Sequence, residues 1–193
     1  MSTSGTAPRI TICGISELGE HSAAGVTHVL SILGPKAADP SDFAAFAPHR
    51  RLNLRFHDVI EPRPDQLGPT REDVERLLLF GREVNETPEA HLLVHCHAGI
   101  SRSTAAATLL LMQANPQWSA RAALEAIASI RPQAWPNLLI LEIGDELLGR
   151  NGEIVAAASA IYRRVLERDP EFVEQMMEAG RDREVRAAQR EAG

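Results

Sequence analysis

A short stretch of the sequence places a nucleophile and an anion-binding group at a fixed spacing. Cys96 follows an apolar run, and Arg102 lies six positions further along. The residues between them are mostly small, and Gly99 allows the backbone to curl so that successive N–H groups point at one anion. The planar guanidinium of Arg102 is suited to bind two phosphate oxygens through parallel hydrogen bonds. The pattern predicts a phosphate-binding cradle beside a thiolate nucleophile, and the cradle consists of His97, Ala98, Gly99, Ile100, Ser101 and Arg102.

The cradle is expected to connect a strand to a helix. Residues 91–95 are apolar enough for a buried strand, and residues 103–112 form a strong helical pattern. The positive end of that helix then lies at the cradle, where a cysteine beside an arginine is stabilised as the reactive thiolate. Ser103 is predicted to donate a hydrogen bond to the sulfur when it leaves, and His95 to support the cradle by bonding its backbone. The alternative without function is a small buried cysteine at a strand-to-helix turn.

Residues 95–103, with the sequence His-Cys-His-Ala-Gly-Ile-Ser-Arg-Ser, resemble the signature of the cysteine-dependent protein tyrosine phosphatase superfamily, and specifically its small dual-specificity-like branch. Residues 25–31 resemble an early strand of these domains, and residues 130–137 resemble their later Arg-Pro and Pro-Asn segment. The resemblance covers roughly residues 9–150. It implies a two-step reaction, in which the thiolate takes the phosphoryl group, an Asp protonates the departing oxygen, and water hydrolyses the phosphocysteine intermediate.

Such a reaction needs a carboxylic acid that faces the cradle, because an alkoxide or phenoxide leaves poorly unless it is protonated. Residues 51–56 alternate in polarity like a half-buried strand, and Asp58 follows at the end of that strand, where the family places its acid. Asp65 has a spacing to Cys96 nearer that of the family, but prolines lie between the two candidates. We predict Asp58 as the general acid because strand ends are positioned by the sheet, and Asp65 remains the alternative.

The composition is that of a globular domain. The chain has 193 residues, of which 44% are hydrophobic and 24% charged, which is enough to bury one core. The net charge of −6 argues against nucleic acid or an anionic membrane surface as an obligatory partner, whereas a local positive site can still bind phosphate. The expected partner is a substrate, either a phosphorylated protein or a small phosphate ester. No cofactor and no metal are expected, and the sequence leaves the oligomeric state open.

Cysteine usage and hydropathy favour a cytoplasmic protein. Cys13 and Cys96 are the only cysteines, the first residues do not look like a signal peptide, and no apolar stretch approaches the ~20 residues of a membrane span. Cys13 ends a short apolar strand and is predicted to be buried. A reversible disulfide with Cys96 is the alternative, and it requires Cα atoms within roughly 7 Å of each other.

Alternating strand and helix patterns predict an α/β fold with a mainly parallel central sheet flanked by helices. The predicted strands are 9–13, 27–33, 51–56 and 91–95. The predicted helices include one after a capping box at 70–73, and others at 118–129, 137–148, 154–166 and 171–177. Residues 1–150 are predicted to form a dual-specificity-like phosphatase domain, and residues 151–193 a C-terminal helical extension packed on it. The run 181–190 mixes both charges without an apolar face, and is expected to be a solvated or frayed helix outside the chemistry.

The residues favour a phosphomonoester hydrolase that acts on phosphotyrosine in proteins, with phosphoserine and phosphothreonine as further substrates. The first alternative is a phosphatase of phosphoinositides or other small phosphorylated metabolites, although the cradle interior offers only His97 and Ile100, and neither Lys nor Arg for extra phosphates. The second is a non-catalytic phosphate-binding module, or an enzyme that handles arsenate or sulfur. Trp135 and Asn137 are expected either to wall the pocket or only to end a helix.

Overall fold

The computed structural model describes residues 8–190, and its centre is a four-stranded parallel sheet. In chain order the strands are β1 (Arg9–Cys13), β2 (His28–Leu33), β3 (Arg50–Arg55) and β4 (His91–His95). Across the sheet they follow the order β1–β4–β2–β3. The predicted α/β fold with a mainly parallel sheet is confirmed.

The direction of the strands explains where the candidate residues meet. Because all four strands run the same way, their carboxyl ends lie at one edge of the sheet, where ligands bind in open α/β folds. Cys96 directly follows β4, which pairs with both β1 and β2. Asp58 follows β3, and Cys13 at the end of β1 lies opposite His95. The loops after three strands therefore converge on the cradle.

Helices connect the strands and continue the chain after the sheet. In the part of the chain that the structure describes, they are α1 (Arg71–Glu86), α2 (Arg102–Ala114), α3 (Ala120–Ile130), α4 (Leu138–Leu147), α5 (Glu153–Arg168), α6 (Phe172–Glu178) and α7 (Asp182–Gln189). Two 3₁₀ helices, Ile15–His21 and Ser41–Ala45, precede α1. None of the helices within residues 8–190 is long and apolar enough to cross a membrane.

The two faces of the sheet are covered by different elements, because successive side chains of a strand point to opposite faces. Leu30 and Val94 face the main core, which also contains α1 and α2. Val29 and Leu93 face a smaller cluster that includes Leu18 of the first 3₁₀ helix. Helix α2 is buried along almost its whole length. Its burial fixes the point where the helix begins, and thereby the end of the cradle.

Helix α1 begins at the predicted capping box. The hydroxyl of Thr70 accepts a hydrogen bond from Asp73 N at 3.2 Å, and the Asp73 carboxylate accepts one from Thr70 N at 3.0 Å. These bonds satisfy two of the N–H groups that a helix start leaves without partners. The prediction of this capping box is confirmed.

The C-terminal helices share the core of the sheet. Helix α5 packs against α3 and α4, α7 packs against α5, and Tyr162 and Val185 belong to the same buried cluster as the strands. The expectation that 181–190 has no apolar face is wrong, because α7 buries Val185 and Ala188. The inward charges of this segment pair with one another, which allows a charged helix to face a core.

Candidate active site

The cradle turns its carbonyl groups outwards. The five carbonyl oxygens of residues 97–101 all accept hydrogen bonds from surrounding elements. The N–H groups of the same five residues donate to no acceptor within residues 8–190. A backbone whose carbonyls point outwards and whose amides point inwards forms a nest for an anion. The outer donors are the main-chain N–H groups of Ile15, Trp135 and Asn137 and the guanidinium of Arg131.

Arg131 joins the cradle to the loop after β1. Its guanidinium donates to Ala98 O and Gly99 O, each at 3.1 Å, and to the two carboxylate oxygens of Glu17 at 2.8 and 2.6 Å. The hydrogen bond from Arg131 is the largest effect on the Glu17 carboxyl and lowers its pKa. Glu17 also accepts a hydrogen bond from Gly14 N at 2.5 Å. The ion pair therefore braces the outer side of the cradle.

Gly99 occupies a position that no other residue fits. Its φ is +71°, which is in the left-handed region that glycine adopts without strain. A Cβ at this position would lie 2.5 Å from the carbonyl carbon of Cys13 and 2.6 Å from Gly14 N. These are main-chain atoms at the end of β1, so they cannot swing away as a side chain would. The glycine that the sequence places in the cradle is thus required by conformation and by space.

Cys96 is buried beside the first turn of α2. Its Sγ lies 3.2 Å from the hydroxyl oxygen of Ser103. Arg102 Nη1 donates to Phe56 O at 2.8 Å, which holds the guanidinium against the end of β3. Arg102 Nε is buried and has no hydrogen-bond partner among residues 8–190. One edge of the guanidinium is therefore left to bind the oxygens of an anion held near the sulfur.

Asp58 is held at the same site by three donors. Its Oδ1 accepts hydrogen bonds from Ser101 Oγ at 2.8 Å, Asn137 Nδ2 at 2.8 Å and Arg181 Nη1 at 3.0 Å. Its Oδ2 lies 3.9 Å from Arg102 Nε and accepts no hydrogen bond from the described residues. Burial raises the pKa of the Asp58 carboxyl, but the charges of Arg181 and Arg102 and the two neutral hydrogen bonds outweigh burial and lower it. Oδ2 is the oxygen that remains to carry a proton.

A cleft of about 410 Å³ gives access to Cys96. One side is polar and contains the cradle and Asp58, whereas the other side is apolar. The lining residues are Asp58, Cys96, His97, Ala98, Ile100, Ser101, Arg102, Trp135, Phe172, Met176 and Arg181. A nucleophile, an anion nest and a carboxyl group thus share one opening.

Comparison with known proteins finds phosphatases that are similar to this chain. Over 155 residues the chain is 31% identical to dual specificity protein phosphatase 12 of Rattus norvegicus, a match that covers 77% of this chain and 42% of the relative. The crystal structure of human DUSP28 has a TM-score of 0.57 at 18% identity, and covers 75% of this chain and 94% of that chain. The phosphatase PTP-2 of Cydia pomonella has a TM-score of 0.54 at 22% identity, and covers 72% of this chain and 84% of that chain. No protein-family model matches the chain.

The chain resembles the dual-specificity-like branch of the cysteine-dependent protein tyrosine phosphatases. The proteins that it resembles are hydrolases of the phosphatase type. The chain spans 42% of the length of the rat relative, so the similarity concerns that part of the relative alone. The solved structures, at 18% and 22% identity, support the fold of the chain.

The two candidate acids lie in different surroundings. Asp58 lines the cleft with Cys96, and 33% of its side chain is exposed. Asp65 is exposed in a turn that is closed by a bridge between Arg63 and Gln66, and it does not line the cleft. The structure therefore brings Asp58 to the cradle and leaves Asp65 outside it.

His95 does not bond the cradle in the way the sequence suggested. The ring is fully buried, and neither ring nitrogen has a hydrogen-bond partner among residues 8–190. It packs against Phe43, with 5.5 Å between the ring centroids. Burial lowers the pKa of His95 to about 4, so the ring is neutral at physiological pH. The ring therefore lies on the face of the sheet that carries the smaller cluster, against which Phe43 also packs.

Cys13 lies under the cradle as a free thiol. Both Cys13 and Cys96 are unpaired in the structure, so the alternative of a disulfide between them is not realised here. Burial raises the pKa of Cys13 to about 12. Because the thiolate is the form that attacks disulfides and oxidants, the raised pKa disfavours reaction of Cys13. The predicted burial of Cys13 is confirmed.

Sequence reasoning missed the part of the site that the C-terminal helices supply. Phe172 and Met176 of α6 line the cleft, and Arg181 contacts Asp58. The only sequence signal was the spacing of Arg181, Glu184, Val185 and Ala188, which places these four residues on one face of a helix. Of the two roles that the sequence left open, Trp135 lines the cleft, whereas Asn137 begins α4 as its N-cap and does not end a helix.

Proposed function

We propose that this protein hydrolyses phosphomonoesters through a phosphocysteine intermediate, with phosphotyrosine in proteins as the preferred substrate class. The observation that carries the proposal is the cradle after Cys96: its five main-chain amides and Arg102 Nε have no hydrogen-bond acceptor among residues 8–190, and Arg102 lines the same cleft as Cys96. During transfer the charge of a phosphoryl group is spread over three oxygens, and fixed hydrogen-bond donors such as those of the cradle stabilise it.

In the first step the Cys96 thiolate attacks the phosphorus, and an S–P bond forms. The bond from phosphorus to the ester oxygen breaks, and that oxygen takes the proton from Asp58 Oδ2. The products are the free alcohol or phenol and a phosphocysteine. Arg102 and the cradle amides hold the three remaining phosphoryl oxygens throughout.

In the second step a water molecule attacks the phosphorus of the phosphocysteine. Asp58, now a carboxylate, takes a proton from this water, and the S–P bond breaks. The sulfur leaves as the thiolate, which Ser103 stabilises through the hydrogen bond that its hydroxyl makes over 3.2 Å. Inorganic phosphate is released and Asp58 is protonated again.

The shape of the cleft supports an aromatic phosphate ester as the substrate. Trp135, Phe172 and Met176 give the cleft an apolar wall, against which the ring of a tyrosine would pack. The cleft has one further cation besides Arg102, which is Arg181, and Arg181 is already paired with Asp58 and Glu184. A substrate with several phosphates, such as a phosphoinositide, would therefore lack partners for its extra charges.

The test is hydrolysis by the purified chain of a phosphotyrosine peptide, a phosphoserine peptide, a phosphoinositide in vesicles and inositol phosphates. We expect the phosphotyrosine peptide to have the highest kcat/KM, and Cys96→Ser to abolish turnover. Cys13→Ala is the matched control, because it removes the other cysteine and should leave the activity unchanged. A Cys96→Ser variant as active as the wild type would refute the thiolate mechanism, and a preference for the phosphoinositide would refute the substrate class.

We also propose the cytoplasm as the compartment, supported by two cysteines that stay unpaired although both lie near the cradle. The division into a phosphatase domain at 1–150 and an extension at 151–193 is likewise a proposal. The shared core of α5, α7 and the sheet supports the view that both parts fold as one unit.

A further inference from the structure

The connection between α6 and α7 lies against the loop that carries the candidate acid. We call residues 57–68 the acid loop. Arg63 of this loop donates to Ala179 O at 3.1 Å, and Arg183 of α7 donates to Glu61 of the loop at 3.1 Å. The acid loop is therefore attached to the C-terminal helices on both sides of Arg181.

Arg181 reaches from this connection into the site. Its Nη1 donates to Asp58 Oδ1 at 3.0 Å, and its Nη2 donates to Ser101 Oγ at 3.0 Å. Its Nε and Nη2 also donate to the two carboxylate oxygens of Glu184, at 2.8 and 2.7 Å. The side chain of Arg181 is only 6% exposed. One guanidinium thus binds the acid, the cradle and α7 at once.

Glu184 fixes the orientation of Arg181. Its side chain is 0% exposed, and besides Arg181 it accepts hydrogen bonds from Trp135 Nε1 and from Leu138 N, the latter at 2.9 Å. A buried ion pair holds a defined geometry when additional hydrogen bonds satisfy its remaining polar atoms, as they do here. The guanidinium therefore presents Nη1 to Asp58 from a fixed plane.

We propose that Arg181 is a positioning residue, which with Glu184 holds Asp58 by Oδ1 so that Oδ2 faces Arg102 and the cradle. The inference rests on the proposed function, because it assigns a role in that reaction. It makes α6 and α7 part of the catalytic unit. The proposal replaces the expectation that residues 181–190 lie outside the chemistry.

Arg181 differs from the other two donors to Asp58 because it carries a charge. Ser101 and Asn137 orient the carboxylate, whereas Arg181 and Arg102 also favour its ionised form. The groups that face Asp58 are Ser101 of the cradle, Arg102 of α2, Asn137 at the start of α4 and Arg181 of the α6–α7 connection. Glu184 lies behind Arg181. Removal of Arg181 should therefore raise the pKa of Asp58. The variant should then keep the protonated acid to a higher pH, so the decline of its rate with rising pH should begin at a higher pH than in the wild type.

The test compares Arg181→Met, Arg181→Lys and the control Arg186→Met, which replaces an exposed arginine of α7. On a phosphotyrosine peptide, Arg181→Met should lower kcat by roughly ten- to a hundredfold and move the descending limb of the pH profile to higher pH. On an activated aryl phosphate kcat should fall much less, because that leaving group needs no proton. Arg181→Lys should restore part of the rate, and Arg186→Met should match the wild type.

Two further measurements keep the outcome decisive. If the buried charge of Glu184 prevents Arg181→Met from folding, the double variant Arg181→Met with Glu184→Gln removes that charge, and should show the same shift of the limb. Titration of the Asp58 carboxyl by carbon NMR reads the effect of Arg181 without any turnover. A wild type inactive on every phosphate ester refutes the proposed function, whereas an Asp58 titration unchanged by loss of Arg181 refutes the positioning role.

Discussion

His95 makes the stability of the fold depend on pH. The ring is fully buried behind the cradle, and its pKa is lowered to about 4. Burial is the largest cause, and the positive charges of Arg51, Arg102 and Arg55 act in the same direction. The main chain of Cys96 attracts the protonated ring, but too weakly to offset these effects. In the unfolded chain the same side chain has a pKa of ~6.5.

The difference between the two states sets the size of the effect. Between pH 6.5 and 4 the unfolded chain binds a proton at this residue and the folded chain does not, so the free energy of unfolding rises with pH. The contribution is fully present above pH 6.5 and is lost as the pH falls to 4. At about 1.36 kcal/mol for each unit of pKa, the loss amounts to about 3 kcal/mol, a large part of the stability of an ordinary domain.

The assay is urea unfolding at pH 7 and at pH 4 of the wild type, of His95→Phe and of His97→Gln. Phe has a ring of similar size that packs against Phe43 and does not titrate, so His95→Phe should lose about 3 kcal/mol less than the wild type on acidification. His97 is exposed, so His97→Gln should follow the wild type. Carboxyl groups titrate in all three proteins and cancel in the comparison. Equal losses in wild type and His95→Phe would show that the buried ring is not responsible.

Three further predictions concern the chemistry. Asp58→Asn should lower kcat on a phosphotyrosine peptide by about 10²–10⁴-fold and much less on an activated aryl phosphate, while Asp65→Asn should leave both rates unchanged; the reverse pattern would make Asp65 the acid. Gly99→Ala should cost at least about 2 kcal/mol in urea unfolding and weaken vanadate inhibition, because the new Cβ meets the main chain of β1; wild-type vanadate affinity would contradict this. Arg102→Ala should weaken vanadate binding and also lower kcat. A change in only one of these two quantities would contradict the view that Arg102 binds both the ground state and the transition state.

The cradle could be predicted from the sequence because its signals are local. The apolar strand, the glycine and the helical run stand next to each other, and their order alone requires a tight turn at a helix start. The boundaries of β1 and β4 agree with the predicted strands for the same reason. The position of Asp58 followed from the rule that parallel strands end at one edge of the sheet.

The contribution of the C-terminal helices could not be predicted in this way. Arg181 contacts Asp58 across 123 positions of the chain, and nothing near either residue indicates the other. A run of mixed charges is most often exposed to solvent. Arg181 can be buried because its partner Glu184 is buried with it, and the sequence does not show that pairing. The ring of His95 is a similar case, because the sequence shows its place at the strand end but not the face to which it points.

The low pKa of Asp58 and its need to carry a proton are reconciled by the substrate. Before substrate binds, Arg102 and Arg181 favour the carboxylate. A phosphate dianion held by Arg102 adds negative charge near Oδ2, which disfavours the carboxylate and raises the pKa of Asp58. The descending limb of kcat, which reports the enzyme–substrate complex, should therefore lie at higher pH than that of kcat/KM, which reports the free enzyme. Coincident limbs for a phosphotyrosine peptide would mean that the substrate charge does not reach Asp58, and that the acid takes its proton by another route.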